Sequence, residues 1–224
     1  MTDPTSPEGA EPGDESLAGL WSFTLQTLVA RAAHDVNNAL NGAVMNVEVV
    51  KARARPGVDA GTVAPFAEAA AGQFEEVAGL AEALLALGRR PRGTPDAALV
   101  LRHAARLLAA DLARRGIALD LEDVRACPAG GDPTATRLAV VAGLLAVVDA
   151  AGTAETAGTD SADELPRRLR CSTRSDARPT VEIAPRFGAT LPAPVARALA
   201  AAAVELDVES EMLRIALPVS PDAY

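Results

Sequence analysis

From Leu17 to about Arg55 the chain runs without a proline, and apolar residues return at helical intervals through Leu25, Val29, Ala32, Val36, Leu40, Ala43, Val47 and Val50. Such a stretch commits the chain to one long amphipathic helix. Pro56 and Gly57 break it, and a second apolar-periodic run follows from Val63 to Leu87 through Phe66, Ala70, Phe74, Val77, Leu80 and Leu84. Two long helices joined by a short turn make a hairpin. A lone hairpin leaves part of its apolar stripe in water, and pairing with a second copy as a four-helix bundle removes that cost. A homodimer is the expectation.

The rest of the 224 residues divides around this hairpin. Residues 1–16 hold three prolines, five acids and no basic residue, too polar to bury a core, and are expected to be a disordered tail. The hairpin takes residues 17–88. Residues 89–95, with Pro91, Gly93 and Pro95 among arginines, read as a hinge. A second domain fills 96–220. Its pattern is a helix from Ala97 to Arg114, a strand through Ile117, Leu119 and Leu121, and a helix from Pro133 to Ala150 after the Gly130-Gly131-Asp132 turn. A loose polar segment follows from Gly152 to Glu164. Then come a hairpin of alternating Leu169, Cys171, Thr173 and Val181, Ile183, a helix from Pro192 to Ala203, and strands near Leu206–Val208 and Met212–Leu217. The expected class is α+β, with helices against one sheet face.

Composition narrows the function. Lys and Arg number 21 against 30 Asp and Glu, and a net charge of -9 opposes any sequence-independent grip on nucleic acid. The apolar run from Leu138 to Val148 is shorter than the roughly 20 residues of a membrane-spanning helix, and no basic start followed by an apolar stretch opens the sequence. No membrane association and a cytoplasmic location are expected. Cys127 and Cys171 stand apart from any Cys or His at zinc-ligand spacing, so they read as structural thiols.

With Val36 at the centre of the first helix's apolar stripe, a turn of about 100° per residue carries His34 about 160° away, to the solvent side. Asn38, Asn41 and Met45 fall close beside it, and Asp35 is its neighbour in sequence. An exposed histidine alone is ordinary surface. A neutral imidazole is nevertheless nucleophilic near neutral pH, and its phosphoramidate is a good phosphoryl donor. An adjacent carboxylate can hold the other ring nitrogen or take its proton, and an amide one turn on can orient water. Asn41 and Met45 extend the face as candidate partner-docking residues, and Arg31, nearly one turn before His34, is a candidate for steadying phosphate. His103 has no such neighbours and reads as a surface or packing residue.

The run Ala33-His34-Asp35-Val36-Asn37-Asn38-Ala39-Leu40-Asn41-Gly42 resembles the H box of histidine-kinase dimerisation and phosphotransfer domains. The resemblance implies that His34 is the phosphoacceptor, Asp35 its acid-base neighbour and Asn38 the amide that positions water. Ala39 replaces the proline common in that family, which implies a weaker helix bend; the acceptor role does not need it.

The element order after residue 95 resembles the ATP-binding domain of the same kinases, which implies a degenerate ATPase-like α/β sandwich. Valines, Val147 or Val148, stand where that family carries a magnesium-ligating asparagine, and Val181 to Gly188 lacks the Asp-x-Gly-x-Gly turn that reads adenine. An H box joined to a domain without nucleotide motifs resembles the ChpT-type histidine phosphotransferases. That resemblance implies a relay of phosphate through His34 between response-regulator receiver domains, with no cofactor of its own and magnesium supplied by the partner. The alternatives are a catalytically silent dimeric scaffold or pseudo-histidine kinase, and a divergent ATP-dependent histidine kinase.

Overall fold

The computed structural model describes residues 16–56, 59–90, 93–155, 167–209 and 211–219. The expected tail up to residue 15, the breaker Gly57, the hinge residues Pro91 and Arg92, and positions 156–166 of the polar segment lie outside the described residues.

Helix α1 (Leu17–Arg53) begins at Ser16, whose hydroxyl accepts from the Gly19 amide, and ends with Lys51 and Arg53 in the last turn, where positive charge complements the helix dipole. A 3-10 turn, Ala60–Thr62, leads into α2 (Ala64–Gly88). The two helices pack against each other, and both bury small residues: Ala32, Ala39 and Ala43 of α1, and Ala70, Gly79 and Ala83 of α2, of which Gly79 lies against Arg106. Toward the turn, the Asn46 amide donates to Gln73 Oε1 at 3.0 Å and the Arg53 guanidinium lies 4.8 Å above the Phe66 ring.

The second part is α3 (Ala97–Arg114), β1 (Ile117–Asp120), α4 (Pro133–Glu155), β2 (Arg167–Arg174), β3 (Thr180–Ala184), α5 (Ala193–Ala201), β4 (Glu205–Val208) and β5 (Leu213–Ala216). The strands form one mixed sheet in the order β1-β2-β3-β5-β4. Only β1 and β2 run parallel, a pairing that needs a crossover, and α4 lies in that connection. Register pairs Cys171 with Ile183, Val181 with Ile215 and Ile183 with Leu213, all turned into the core. The α+β class and every expected helix and strand are present, with ends shifted by a few residues at most. Asp96 caps α3, accepting from Ala98 and also from the Cys127 amide. Asp132 accepts from Thr134 in the first turn of α4, and Gly131 before it has φ 77°, so the Gly-Asp-Pro run works as a helix start.

Helix α4 is the centre of the core: Leu138, Ala139, Val140, Val141, Leu144, Val147 and Val148 are all inaccessible to solvent. Its apolar window, Pro133–Gly152, is 20 residues, longer than the run read from the sequence and long enough by composition to cross a membrane; it is 72% buried inside the protein. No other described helix passes that test. The core does not stop at the expected hinge. Leu28, Ala32, Leu80, Ala83 and Leu87 of the hairpin join the same apolar cluster as α3 and α4. Arg137 of α4 reaches across to donate to the carbonyls of Leu87 at 3.1 Å and Arg89 at 2.5 Å, satisfying the open end of α2. Burial lowers the pKa of that guanidinium.

Two glycines predict opposite stability effects. A Cβ on Gly143 in α4 would sit 2.7 Å from Ile215 Cδ1 on β5, so Gly143→Val is expected to cost about 1–3 kcal/mol in urea unfolding, as overpacked cores do. Gly72 in α2 has nothing within 4 Å, and Gly72→Ala should stabilise by about 0.5–1 kcal/mol through helix propensity.

Candidate functional site

The residues of α1 sort into rows by their step along the helix. Ala32, Val36, Ala39, Ala43 and Asn46 form the inner row, buried or half-buried. Advancing each position by one, about 100° around the helix, gives Ala33, Asn37, Leu40, Val44 and Val47, which are exposed or half-buried. Advancing once more gives His34, Asn38, Asn41 and Met45, all exposed, with Met45 at 69%. Four of the six residues singled out from the sequence therefore share one solvent-facing row.

The other two do not. Asp35 was expected beside His34 on the polar face; it is 7% exposed, and its Oδ1 accepts from Arg114 Nη1 of α3 at 2.5 Å. The stripe is centred nearer Ala32, Ala39 and Ala43 than Val36, and that shift carries Asp35 toward α3. Arg31 likewise faces inward. Its guanidinium donates to Asp149 of α4 at 2.6 Å and lies 3.6 Å from Asp111 of α3, so it is not on the phosphate side of His34.

These contacts belong to a cluster of six charges linking α1, α3 and α4. Asp111 Oδ1 accepts from Arg115 Nε at 3.2 Å and from Arg114 Nη2 at 3.5 Å, and Arg115 also donates to the Val148 carbonyl. Asp35, above all, raises the pKa of Arg114 through its hydrogen bond. Asp35 Oδ2, Asp111 Oδ2 and Arg31 Nη1 are buried without a hydrogen-bond partner, so the cluster is packed more tightly than it is satisfied. Arg114 and Arg115 were not singled out in the sequence. The available signal was Asp35 itself, an acid set in a small-residue helix face, which calls for a cation on whatever packs there.

At the positions where the resemblance implies nucleotide contacts, the second domain carries buried apolar or already paired side chains. Val147 and Val148 are at 0% exposure in the core, and Glu182, the one acid of β3, is tied to Arg214 at 3.2 Å and Ser172 at 3.2 Å. Gly188 and Ala189 instead line a cavity of about 530 Å³ closed on one side by Leu20, Phe23, Thr24 and Thr27 of α1 and on the other by Ala142, Leu145 and Ala146 of α4. Among the described residues no group of three or more His, Cys, Asp or Glu is placed to hold a metal ion. These residues do not fit a magnesium nucleotide. His103 lines shallow pockets beside the end of α2, away from the His34 row.

The thiols follow from burial. Cys171 is pushed up to about 12 by desolvation, and Cys127, raised for the same reason, donates to the Arg174 carbonyl at 3.3 Å. Neither should react with iodoacetamide at pH 8 until the protein unfolds; labelling of either in the native state would contradict their placement. The Asp35–Arg114 pair predicts an asymmetry. Arg114→Ala strands a buried carboxylate and should cost about 2–4 kcal/mol, whereas Asp35→Ala leaves a half-exposed guanidinium that water can solvate and should cost about 1–2 kcal/mol. Urea denaturation of the two variants checks the order.

No protein-family model matches the chain, and no curated protein matches it. Solved structures do. A histidine kinase, AdeS of Acinetobacter baumannii, shares 13% identity at a TM-score of 0.36, covering 84% of this chain and 98% of its own. A bacterial phosphotransferase shares 13% identity at a TM-score of 0.41, covering 86% of this chain and 94% of its own.

Proposed function

We propose that the chain is a histidine phosphotransferase of the ChpT type, which passes a phosphoryl group between receiver domains of response regulators through His34, as a homodimer and without ATP. The observation that carries this reading is the exposed row of His34, Asn38, Asn41 and Met45, set beside a helix face left exposed among the described residues.

That exposed face has the geometry of a bundle seam. On α2 the row toward α1 is Ala70, Gln73, Val77, Leu80, Leu84 and Leu87. One position further along the helix run Ala67, Ala71, Phe74, Ala78, Ala81 and Leu85, all exposed, with Phe74 at 49% and Leu85 at 57%. Steps of four and three are the repeat of a coiled-coil seam. On α1 the corresponding outer row is Ala33, Asn37, Leu40, Val44 and Val47. Because the two helices are antiparallel, a shift of one residue turns both outer rows to the same side of the hairpin. A second hairpin seated there completes four helices, each with two neighbours about 100° apart. The His34 row, turned once more, stays in water.

In this reading a receiver docks on that row. The lone pair of the unprotonated ring nitrogen of His34 attacks phosphorus in line, the P–O bond to the receiver's aspartyl carboxyl breaks, the carboxylate leaves, and the ring keeps its proton on the other nitrogen. The second transfer is the reverse, to another receiver. An acyl phosphate carries a good leaving group, so a neutral imidazole needs no adjacent base, which agrees with the engagement of Asp35 by Arg114. Asn38 and Asn41 offer amides to the docking partner, Met45 an adaptable apolar contact, and magnesium arrives with the receiver.

The test mixes the purified protein with phosphorylated receiver domains, and separately with labelled ATP. Label should move from at least one receiver to wild type and not to His34→Ala, and ATP alone should label neither. Label from ATP alone, or equal labelling of the alanine variant, overturns the reading. In sedimentation the wild type should have twice the chain's mass and Ala78→Glu, at the middle of the outer seam, should be a folded monomer. A monomeric wild type removes the seam.

A further inference from the structure

Asp35 is the residue next to His34, and its carboxylate is held by Arg114, the last residue of α3. Arg114 differs from the other cations of the cluster. Its side chain is 47% exposed, against 22% for Arg31 and 28% for Arg115, so it alone combines a buried partner with ready access to solvent. Its second contact, to Asp111 at 3.5 Å, is long, and Asp111 keeps Arg115 at 3.2 Å if Arg114 leaves. Consecutive Cα atoms are about 3.8 Å apart and project about 100° apart around a helix, so Arg114, seated on Asp35, stands on the flank of α1 next to the His34 row.

We propose that Arg114 is a charge sensor for His34: it latches α1 to α3 through Asp35 while the imidazole is unphosphorylated, and turns to the phosphoryl group when His34 carries one, loosening α1 from the second domain. This rests on the reading of His34 as a phosphoacceptor and adds a regulation to that site.

The physical drive is competition between anions. A phosphoryl group brings up to about two negative charges and several acceptor oxygens, and a guanidinium binds such an oxyanion through paired donors at least as well as it binds one carboxylate oxygen. Losing Arg114 leaves Asp35 buried with neither oxygen paired, because Oδ2 already has no partner. That state is relieved by water entering between α1 and α3. The partner helix responds because Arg114 and Arg115 end α3 and Arg115 bonds the Val148 carbonyl of α4. The expected product is an opened α1–α3 contact around residues 31–39 and 108–115, with the apolar packing of Leu28 and Leu87 intact.

Hydrogen exchange of the full chain, read by mass spectrometry, tests it. Phosphoramidate serves as a small phosphodonor that needs no receiver, and His34→Glu supplies a fixed negative charge in every molecule. Phosphorylated wild type and His34→Glu should both exchange about tenfold faster over 31–39 and 108–115, the opening expected from loss of one partly buried ion pair. Phosphoramidate-treated His34→Ala should not change. Arg114→Gln should exchange fast from the start, with no further response to charge at His34, and Arg114→Lys, which keeps the charge, should restore protection. If Arg114→Gln does not fold, His34→Glu and Arg114→Lys still decide the matter. Protection that is the same in wild type, phosphorylated wild type and His34→Glu overturns the latch. A receiver that never delivers label to His34 overturns the transfer reading instead, and the phosphoramidate and His34→Glu results stand apart from it.

Discussion

The contact of α1 with α3 and α4 is made partly by charge. Asp35, Asp111 and Asp149 meet Arg31, Arg114 and Arg115 there, in a place where an apolar interface would have sufficed. Buried ion pairs contribute little net stability, because desolvation offsets most of the attraction, but they are intolerant of misplacement. The cluster therefore sets the rotation of α1 about its own axis. With Asp35 turned to Arg114, His34, about 100° around the helix, faces water, and the row of Ala33, Asn37 and Val44 lies about 100° further on.

This rotation has a chemical consequence. In the proposed transfer, a histidine whose neighbouring acid is committed elsewhere acts as a plain nucleophile, suited to a phosphoryl donor with a good leaving group and poorly suited to activating water. The second domain, for its part, packs against α1. Helix α4 presents valines to the core, and the first turns of α1 cover the segment around Gly188. The hairpin and the sheet layer share one apolar cluster, and Arg137 ties α4 to the carbonyl end of α2, so apolar packing and the ion cluster together join the two parts.

Most of the element order was legible in the sequence, because proline and glycine mark the breaks and the apolar period distinguishes helix from strand. The Ala97–Arg114 helix and the hairpin that carries Cys171 and Ile183 follow from those signals alone. The exposed row of His34, Asn38, Asn41 and Met45 was legible for the same reason, since a residue nearly opposite an apolar stripe stays exposed even when the stripe's centre is misplaced by a step. Asp35 and Arg31 sit near the stripe's edge, and for them the same small error decides between water and the interior.

The sequence by itself determined the helical hairpin, the α+β domain behind it and the solvent-facing position of His34, because these depend on local periodicity within single segments. Only the tertiary structure decided that Asp35 belongs to Arg114, that Arg31 belongs to Asp149, and that the hairpin shares its core with α3 and α4. Such pairings join residues far apart in the chain, and a charge carries no mark of which opposite charge the packing of helices will bring within reach.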